Sequence, residues 1–166
     1  MSEPVSEHQH GGPARVRCAV ITVSDTRTLQ TDRGGQTIVE CLSGAGHEII
    51  AREIVPDEPA RLRTTLTHLP PADVVLVTGG TGLSHRDQTF ETVHGLLTKP
   101  MPGYGELFRM LSYEQIGPAA MLSRATGGLI GHTVLLTMPG SPAAVRLALE
   151  KLILPELSHL VAEARK

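Results

Sequence analysis

The first half of the chain alternates between short apolar runs and segments of helical periodicity. The run Val16–Val23 is too short for a stable helix and too uniformly apolar for an edge strand, so it predicts a buried parallel strand. Apolar residues then recur at helical spacing around Ile38 and Leu42, and glycines follow that end the helix. A second strand, Glu48–Val55, precedes a short helix with proline in its first turn and leucines at 62, 66 and 69. Two strand–helix units in series predict a parallel sheet.

The second half adds a different connection. Val74–Val77 is the most clearly buried strand of the sequence, and helices follow around residues 90–97 and 107–116, with Leu107, Met110, Leu111 and Ile116 expected on the inward face of the second. Segments 123–130 and 133–138 are separated by two residues, Gly131 and His132, a spacing typical of a hairpin.

The chain closes with a helix that begins at a capping serine followed by proline, Ser141-Pro142, and that Pro155 should kink. The sequence therefore predicts an α/β domain with three layers, α/β/α, and a mostly parallel sheet plus an antiparallel hairpin. Residues 1–14 are polar and without period, which predicts a disordered arm ahead of one domain spanning 15–166.

The composition argues against several classes of protein. The 166 residues carry 15 basic and 17 acidic side chains, and only two Phe and two Tyr, which argues against nucleic acid as the principal partner. No apolar run approaches the roughly 20 residues of a membrane span, and the first residues lack a signal-peptide pattern, so we expect no membrane association. The two cysteines, Cys18 and Cys41, are too few for a disulfide framework or a zinc site and favour a reducing, cytoplasmic location.

Candidate chemistry lies in the loops that follow the predicted strands, because ligands of such sheets bind outside the carboxyl ends of the strands. Four loops qualify: Ser24-Asp25, Pro56-Asp57-Glu58, Thr78–Asp87 and Pro139-Gly140-Ser141-Pro142. In the third, Gly79, Gly80 and Gly82 would let backbone N–H groups approach a phosphate or carboxylate that a Cβ would hold away. The loop has neither the Walker A pattern nor the Gly-x-Gly-x-x-Gly spacing, so P-loop and dinucleotide-binding functions are not predicted.

The acidic residues of these loops have two interpretations. Asp57 and Asp87 each precede a predicted helix and could simply cap it. Alternatively, two carboxylates on neighbouring loops, one of them beside a phosphate cradle, could hold Mg²⁺ and orient a phosphoryl group. Glu106, Arg109 and Arg124 are weaker candidates for ligand contact, since each is better explained as a solvated or helix-stabilising residue.

Taken together, the motifs of the second half resemble one known family. They are Thr78-Gly79-Gly80-Thr81-Gly82, Arg86-Asp87-Gln88-Thr89 with Glu91, Gly103-Tyr104-Gly105-Glu106, Ser123-Arg124 and Pro139-Gly140-Ser141-Pro142. This ordered set resembles the molybdopterin-binding family of molybdenum cofactor biosynthesis, and Gly105–Ser112 is most similar to its B branch, whose near relatives are the molybdopterin adenylyltransferases. The similarity extends from about Val16 to Leu160.

The resemblance implies a fold, a reaction and a site. It implies a three-layer α/β/α domain that assembles as a homotrimer or homohexamer, and a Mg²⁺-dependent reaction of molybdopterin with ATP that gives adenylylated molybdopterin and pyrophosphate. By motif, the two catalytic and metal-binding aspartates fall on Asp57 and Asp87. The residues implied to line the ligand pocket are Ser24, Asp25, Gly79, Gly80, Thr81, Gly82, Glu106, Ser123, Pro139, Gly140 and Ser141.

Two other functions remain open at this stage. Some B-branch members lack the acid of Pro-Asp-Glu, and this chain keeps Asp57, Asp87 and Arg86, which favours an enzyme over a non-catalytic pterin-binding or scaffold protein. A phosphoryl-binding regulator of unrelated origin is the third possibility. Release of pyrophosphate with molybdopterin and ATP would separate the first two, and failure to bind any pterin would indicate the third.

Overall fold

Six strands and six helices make up residues 12–166, the part of the chain that the computed structural model describes. The strands are β1 (Arg17–Val23), β2 (Glu48–Val55), β3 (Val74–Thr78), β4 (Lys99–Pro100), β5 (Gly127–Ile130) and β6 (Thr133–Met138). The α-helices are α1 (Arg33–Gly44), α2 (Pro59–His68), α3 (Thr89–His94), α4 (Pro102–Ile116), α5 (Pro142–Ala148) and α6 (Leu154–Ala164). A 3₁₀ helix, Gly117–Leu122, follows α4, and a π-helical segment, Leu149–Ile153, joins α5 to α6.

The strands form one mixed sheet in the order β2-β1-β3-β6-β5-β4. The pairs β1–β2, β1–β3 and β3–β6 are parallel, whereas β5 pairs antiparallel with β6 and with β4. In register, Thr22 lies opposite Thr78, and Thr78 lies opposite Met138. The loops that follow β1, β3 and β6 therefore leave the sheet at one edge.

Apolar residues cover both faces of the sheet, which gives the predicted three layers. Val20, Leu76 and Leu136 pack with Phe108 and the other buried residues of α1, α4, α5 and α6. The adjacent residues on the same strands point the other way and pack against α2 and α3, as Ile21, Val77 and Leu135 do. Since successive side chains of a strand alternate between faces, two independent cores follow from uninterrupted apolar runs.

Several details differ from the sequence-based expectation. The buried residues of α4 include Tyr104, Phe108 and Ser112, whereas Leu107, Met110 and Ile116, which were predicted to point inward, are exposed. Helical spacing alone could not separate these two stripes, because both are apolar and only the position of the sheet decides between them.

The other differences concern short elements. The strand predicted over 123–130 begins only at Gly127, because the 3₁₀ helix ends at Leu122 and a loop follows. Two-residue β4 was not predicted at all. Pro155 lies in the first turn of α6, directly after the π-helical segment that separates α6 from α5.

Most of the predicted N-terminal arm lies outside the described residues. Within its last residues, the Pro13 carbonyl accepts a hydrogen bond of 2.9 Å from Ser158 Oγ of α6. Cys18 is buried and Cys41 half-buried, and neither forms a disulfide; burial raises the pKa of the Cys18 thiol to about 12. No helix within 12–166 combines the length and the apolar character needed to cross a bilayer.

Candidate functional site

Four loops converge at the carboxyl edge of the parallel strands, as predicted. The N–H of Ser24, after β1, donates to the Val55 carbonyl at the end of β2. The N–H of Gly79, after β3, donates to the Met138 carbonyl at the end of β6 over 3.0 Å, and Thr78 Oγ1 donates to the Pro139 carbonyl over 2.9 Å. These bonds hold the loop starts together, so the residues that follow share one surface.

The glycine-rich loop 79–82 has a backbone that only glycine adopts easily. Gly79 and Gly80 have φ of 97° and 66°, and a Cβ on Gly79 would collide with the Val23 carbonyl. Thr89, at the start of α3, fixes the turn by donating its N–H to the Gly80 carbonyl and its hydroxyl to the Gly79 carbonyl. Within 12–166, the N–H groups of residues 80–82 donate to no protein acceptor, so the loop offers three backbone donors to an anion.

Asp57 and Asp87 both lie against this loop. Asp57 Oδ1 is 3.4 Å from the position that a Cβ on Gly80 would take, and Asp87 Oδ2 is 2.7 Å from the position of a Cβ on Gly82. Neither aspartate is the N-cap of the following helix. That position is occupied by Glu58 in α2 and by Gln88 in α3, and neither makes a side-chain capping bond. The capping interpretation of the two aspartates is therefore wrong.

Asp57 is a carboxylate that forms no direct ion pair within residues 12–166. Partial burial raises its pKa, and the neighbouring negative charges of Asp87 and Asp25 raise it further, against lowering effects of the Gln88 N–H and of the nearby Arg86. The Asp87 carboxylate is held within its own loop, since Oδ2 accepts the Ser84 N–H over 2.9 Å. Two acids in such an arrangement attract a divalent cation.

Asp25 joins three of the loops. Its Oδ1 accepts the backbone N–H of Asp57 over 2.9 Å, and its Oδ2 accepts the Arg86 guanidinium at 2.6 Å. These bonds hold the pKa of the Asp25 carboxyl below its usual range. Ser24 is also engaged internally, because its hydroxyl accepts the N–H groups of Thr26 and Arg27. Both predicted pocket residues thus shape the loops themselves.

A cavity of about 740 Å³ adjoins the glycine loop on the side of α1. The predicted residues Ser24, Gly79, Gly140 and Ser141 line it. Its further lining residues, which the sequence did not single out, include Arg27, Thr31, Asp32, Arg33 and Gly34. The glycine pair Gly34-Gly35 at the start of α1 could have indicated this wall of the cavity from the sequence. A Cβ on Gly34 would lie 2.6 Å from the Gly140 carbonyl, so the close approach of these two loops requires glycine.

Asp32 gives this wall of the cavity its shape. Its buried carboxylate caps α1 through the Gly35 N–H at 2.9 Å and accepts the Thr22 hydroxyl at 2.7 Å. Arg52 lies 3.5 Å away and balances the charge. On the opposite wall Ser141 caps α5, as predicted, by accepting the Ala144 N–H.

Glu106 and Ser123 lie further from the cavity. Glu106 is exposed on α4 and takes part in none of the hydrogen bonds that join the loops within 12–166. Ser123 follows the 3₁₀ helix, and its carbonyl and that of Ala125 accept Arg109. Arg109 therefore supports the segment 123–125, which reaches the glycine loop through the bond from the Arg124 N–H to the Thr81 carbonyl.

The carboxylates of Asp57 and Asp87 suit a magnesium ion that water and substrate help to bind, rather than a metal held by protein ligands alone. No cluster of three or more His, Cys, Asp and Glu able to hold a metal occurs among the described residues. Mg²⁺ is usually bound by one or two carboxylates together with waters and substrate phosphates. The carboxylate of Asp57, whose pKa stays raised despite the nearby Arg86, lies beside that of Asp87 and fits this pattern.

Comparison with known proteins identifies the family of the chain. Residues 19–159 match the family model described as "Probable molybdopterin binding domain". The chain is 52% identical to molybdenum cofactor biosynthesis protein B of Bacillus subtilis strain 168, with 98% of each protein covered. A crystal structure of a molybdenum cofactor biosynthesis protein B superposes with a TM-score of 0.88 at 52% identity, over 92% of this chain and 98% of the other.

A more distant relative has the same fold. The tungsten cofactor synthesizing protein MoaB from Pyrococcus furiosus superposes with a TM-score of 0.80 at 38% identity, over 93% of this chain and 99% of that one. The family model and the relatives cover the sheet edge with all four loops. The chain therefore belongs to the molybdopterin-binding domain family, among the proteins called molybdenum cofactor biosynthesis protein B.

Proposed function

We propose that this chain acts in molybdenum cofactor biosynthesis as a molybdopterin adenylyltransferase. In this reaction ATP and molybdopterin give adenylylated molybdopterin and pyrophosphate. Membership of the family supports the pathway and a pterin ligand. The observation that carries the chemistry is the position of Asp57 and Asp87 against the glycine loop, whose first residue, Gly79, lines a cavity of about 740 Å³ that the two aspartates themselves do not line.

The reaction needs positioning more than a protein nucleophile. An oxygen of the terminal phosphate of molybdopterin attacks the α-phosphorus of ATP, and the bond from this phosphorus to the oxygen bridging to the β-phosphate breaks, so that pyrophosphate leaves. Such a displacement is accelerated by in-line alignment and by stabilisation of the phosphate charge. The free N–H groups of residues 80–82 supply donors for phosphate oxygens, and the cavity lined by Arg27 and Arg33 accommodates an anionic ring compound.

Asp57 and Asp87 are the residues that would hold magnesium. When bound there, the ion would neutralise charge on the phosphates of the substrates. The remaining contributions come from the chain itself. Asp25 holds the Asp57 backbone, Ser84 holds the Asp87 carboxylate, and the Gly79–Gly80 turn keeps side chains out of the phosphate position.

The proposal includes self-association. Exposed apolar side chains lie together in sequence on α4 and the 3₁₀ helix: Leu107, Met110, Tyr113, Ile116, Met121 and Leu122. A patch of this kind on a globular protein marks an interaction surface. We assign it to contacts between copies of the chain in a homotrimer or homohexamer.

Assay of the purified protein for adenylylated molybdopterin tests the proposal. With ATP, molybdopterin and Mg²⁺ we expect product and pyrophosphate, and chelation of the metal should abolish both. Asp87→Asn should keep the fold and lower turnover on the order of 10²-fold, the scale of losing one key electrostatic group. Asp57→Asn is the parallel variant for the second acid.

The outcomes separate the three functions considered. Molybdopterin binding without pyrophosphate release, with or without metal, would replace the enzyme by a pterin-binding or scaffold protein. No binding of pterin would leave only a phosphoryl-binding function. An Asp87→Asn protein that melts at lower temperature but turns over normally would remove Asp87 from catalysis.

A further inference from the structure

The side chain of Arg124 bridges the two ends of the loop Gly82–Asp87. Its Nε donates to the Gly82 carbonyl over 2.9 Å, and one terminal nitrogen donates to the Asp87 carbonyl over 2.7 Å. The other terminal nitrogen forms an ion pair with Glu91 of α3. The Arg124 N–H also donates to the Thr81 carbonyl over 2.9 Å. One residue from a distant part of the sequence thus holds both ends of the loop, the residue before it and the first turn of α3.

The Arg124 guanidinium bonds to the protein and has no nitrogen left without a protein partner. All of its nitrogens have protein partners, its side chain is only 24% exposed, and its central carbon lies 5.5 Å from the centroid of the Phe90 ring. The negative charge of Glu91 neutralises the guanidinium, and Arg124 in turn holds the pKa of the Glu91 carboxyl below its usual range. Little of the positive charge is left to attract phosphate.

The bridged loop determines where the Asp87 carboxylate lies. That carboxylate is bound to the Ser84 N–H in the middle of the loop, and the Asp87 N–H donates back to the Ser84 carbonyl over 2.9 Å. The position of this small closed turn depends on its ends, and Arg124 holds both. A displacement of the order of 1 Å at a reacting centre can cost about 10²-fold in rate.

We propose that Arg124 is a positioning residue: it braces the loop Gly82–Asp87 and so places the Asp87 carboxylate beside the glycine loop, without touching substrate. Its kinetic consequence rests on the proposed adenylyl transfer. The brace depends on the planar, forked guanidinium, because a lysine ammonium could not reach both carbonyls and Glu91 at once.

Kinetics of Arg124→Lys and Glu91→Gln test the positioning role. Arg165→Lys is the matched control, since Arg165 pairs with Asp73 at 2.7 Å, before the start of β3 and so away from the carboxyl edge. We expect Arg124→Lys to lower kcat by about 10-fold or more and to raise the Mg²⁺ concentration for half-maximal rate, with the KM values for ATP and molybdopterin within about twofold. Glu91→Gln should show the same pattern more weakly.

Two kinetic results would overturn the proposal. If Arg124→Lys keeps the kcat of Arg165→Lys, the brace has no role in the reaction. If instead the KM for ATP rises while kcat is unchanged, Arg124 contacts substrate directly and is not a positioning residue.

Amide hydrogen exchange provides a readout that does not need turnover. In Arg124→Lys the N–H groups of Ser84 and Asp87 should exchange about 10-fold faster than in the unchanged protein, while those of β3 keep their protection and show that the fold is intact. Unchanged exchange at Ser84 and Asp87 would refute the brace. If the unchanged protein makes no adenylylated molybdopterin, the proposed function fails, and the exchange rates still decide whether Arg124 holds the loop.

Discussion

Replacing Gly82 by alanine is a direct test of the position of Asp87. A Cβ on Gly82 would lie 2.7 Å from Asp87 Oδ2, whereas ordinary van der Waals contact begins at 3.4 Å. The carboxylate oxygen must therefore retreat by about 0.7 Å, the difference between 3.4 and 2.7 Å. Gly82 is not among the glycines of positive φ in the described chain, so the new methyl group meets the carboxylate and creates no backbone strain.

The expected cost to the fold is small and the cost to the reaction large. The retreat weakens the 2.9 Å bond from the Ser84 N–H, worth about 0.5–1.5 kcal/mol. The lower unfolded-state entropy of alanine offsets about 0.4–1 kcal/mol of this. We expect the Tm to change by less than about 4 °C. Because the carboxylate is displaced by a large fraction of an ångström, turnover should fall about 10- to 100-fold.

The assay compares initial rates of pyrophosphate release at saturating ATP, molybdopterin and Mg²⁺, together with thermal unfolding. Gly44→Ala is the control, since Gly44 ends α1 without positive φ and its Cβ would have no neighbour within 4 Å. That variant should keep the full rate. A rate for Gly82→Ala within about twofold of the control would refute the reasoning, because the Asp87 carboxylate could then move without consequence.

Three further variants test other parts of the site and the surface. Asp57→Asn should unfold at a higher temperature than the unchanged protein at pH 7, and the gain should disappear as the pH falls toward 4 and Asp57 becomes protonated in the folded and the unfolded protein. The raised pKa of Asp57 means that its ionised form is disfavoured in the fold, so its contribution to stability is lost as the pH rises. Asp25→Asn should lower kcat about 10-fold by loosening Asp57 and Arg86, seen as slower pyrophosphate release, and should also lower Tm slightly at pH 7, because the depressed pKa of Asp25 means that its ionised form stabilises the fold. Met110→Glu should dissociate the oligomer, measured by light scattering after size-exclusion chromatography.

The parallel part of the sheet could be predicted because its strands are uninterrupted apolar runs. Val74–Val77 is buried on both faces, and only a central strand of an α/β sheet requires this. The general position of the site followed from the same pattern, since the carboxyl ends of parallel strands meet at one edge. That rule brought Asp57 and Asp87 together although 30 positions separate them in sequence.

The remaining features depend on contacts that leave no local pattern. β4 has two residues, one of them proline, and exists only because β5 is beside it. The inward face of α4 is chosen by Tyr104, whose hydroxyl donates to the Thr137 carbonyl at 2.9 Å. The role of Arg124 could not be predicted either, because a solvated arginine and a bridging arginine look identical until the loop it bridges is in place.

The distribution of charge across the loops gives the strongest argument for a metal in the proposed reaction. Arg86 is paired with Asp25, and Arg124 is paired with Glu91, so these two cations beside the glycine loop are already matched by carboxylates of the chain. Within residues 12–166 Asp57 forms no ion pair; the charge of Asp87 raises its pKa, and the nearby Arg86 lowers it too little to offset the rise. Triphosphate brought against Asp57 and Asp87 would meet their negative charges, whereas Arg27 and Arg33 line the adjoining cavity. A divalent cation between the acids and the phosphates reverses the sign of that interaction, which is why we expect chelation to abolish both turnover and the binding of ATP.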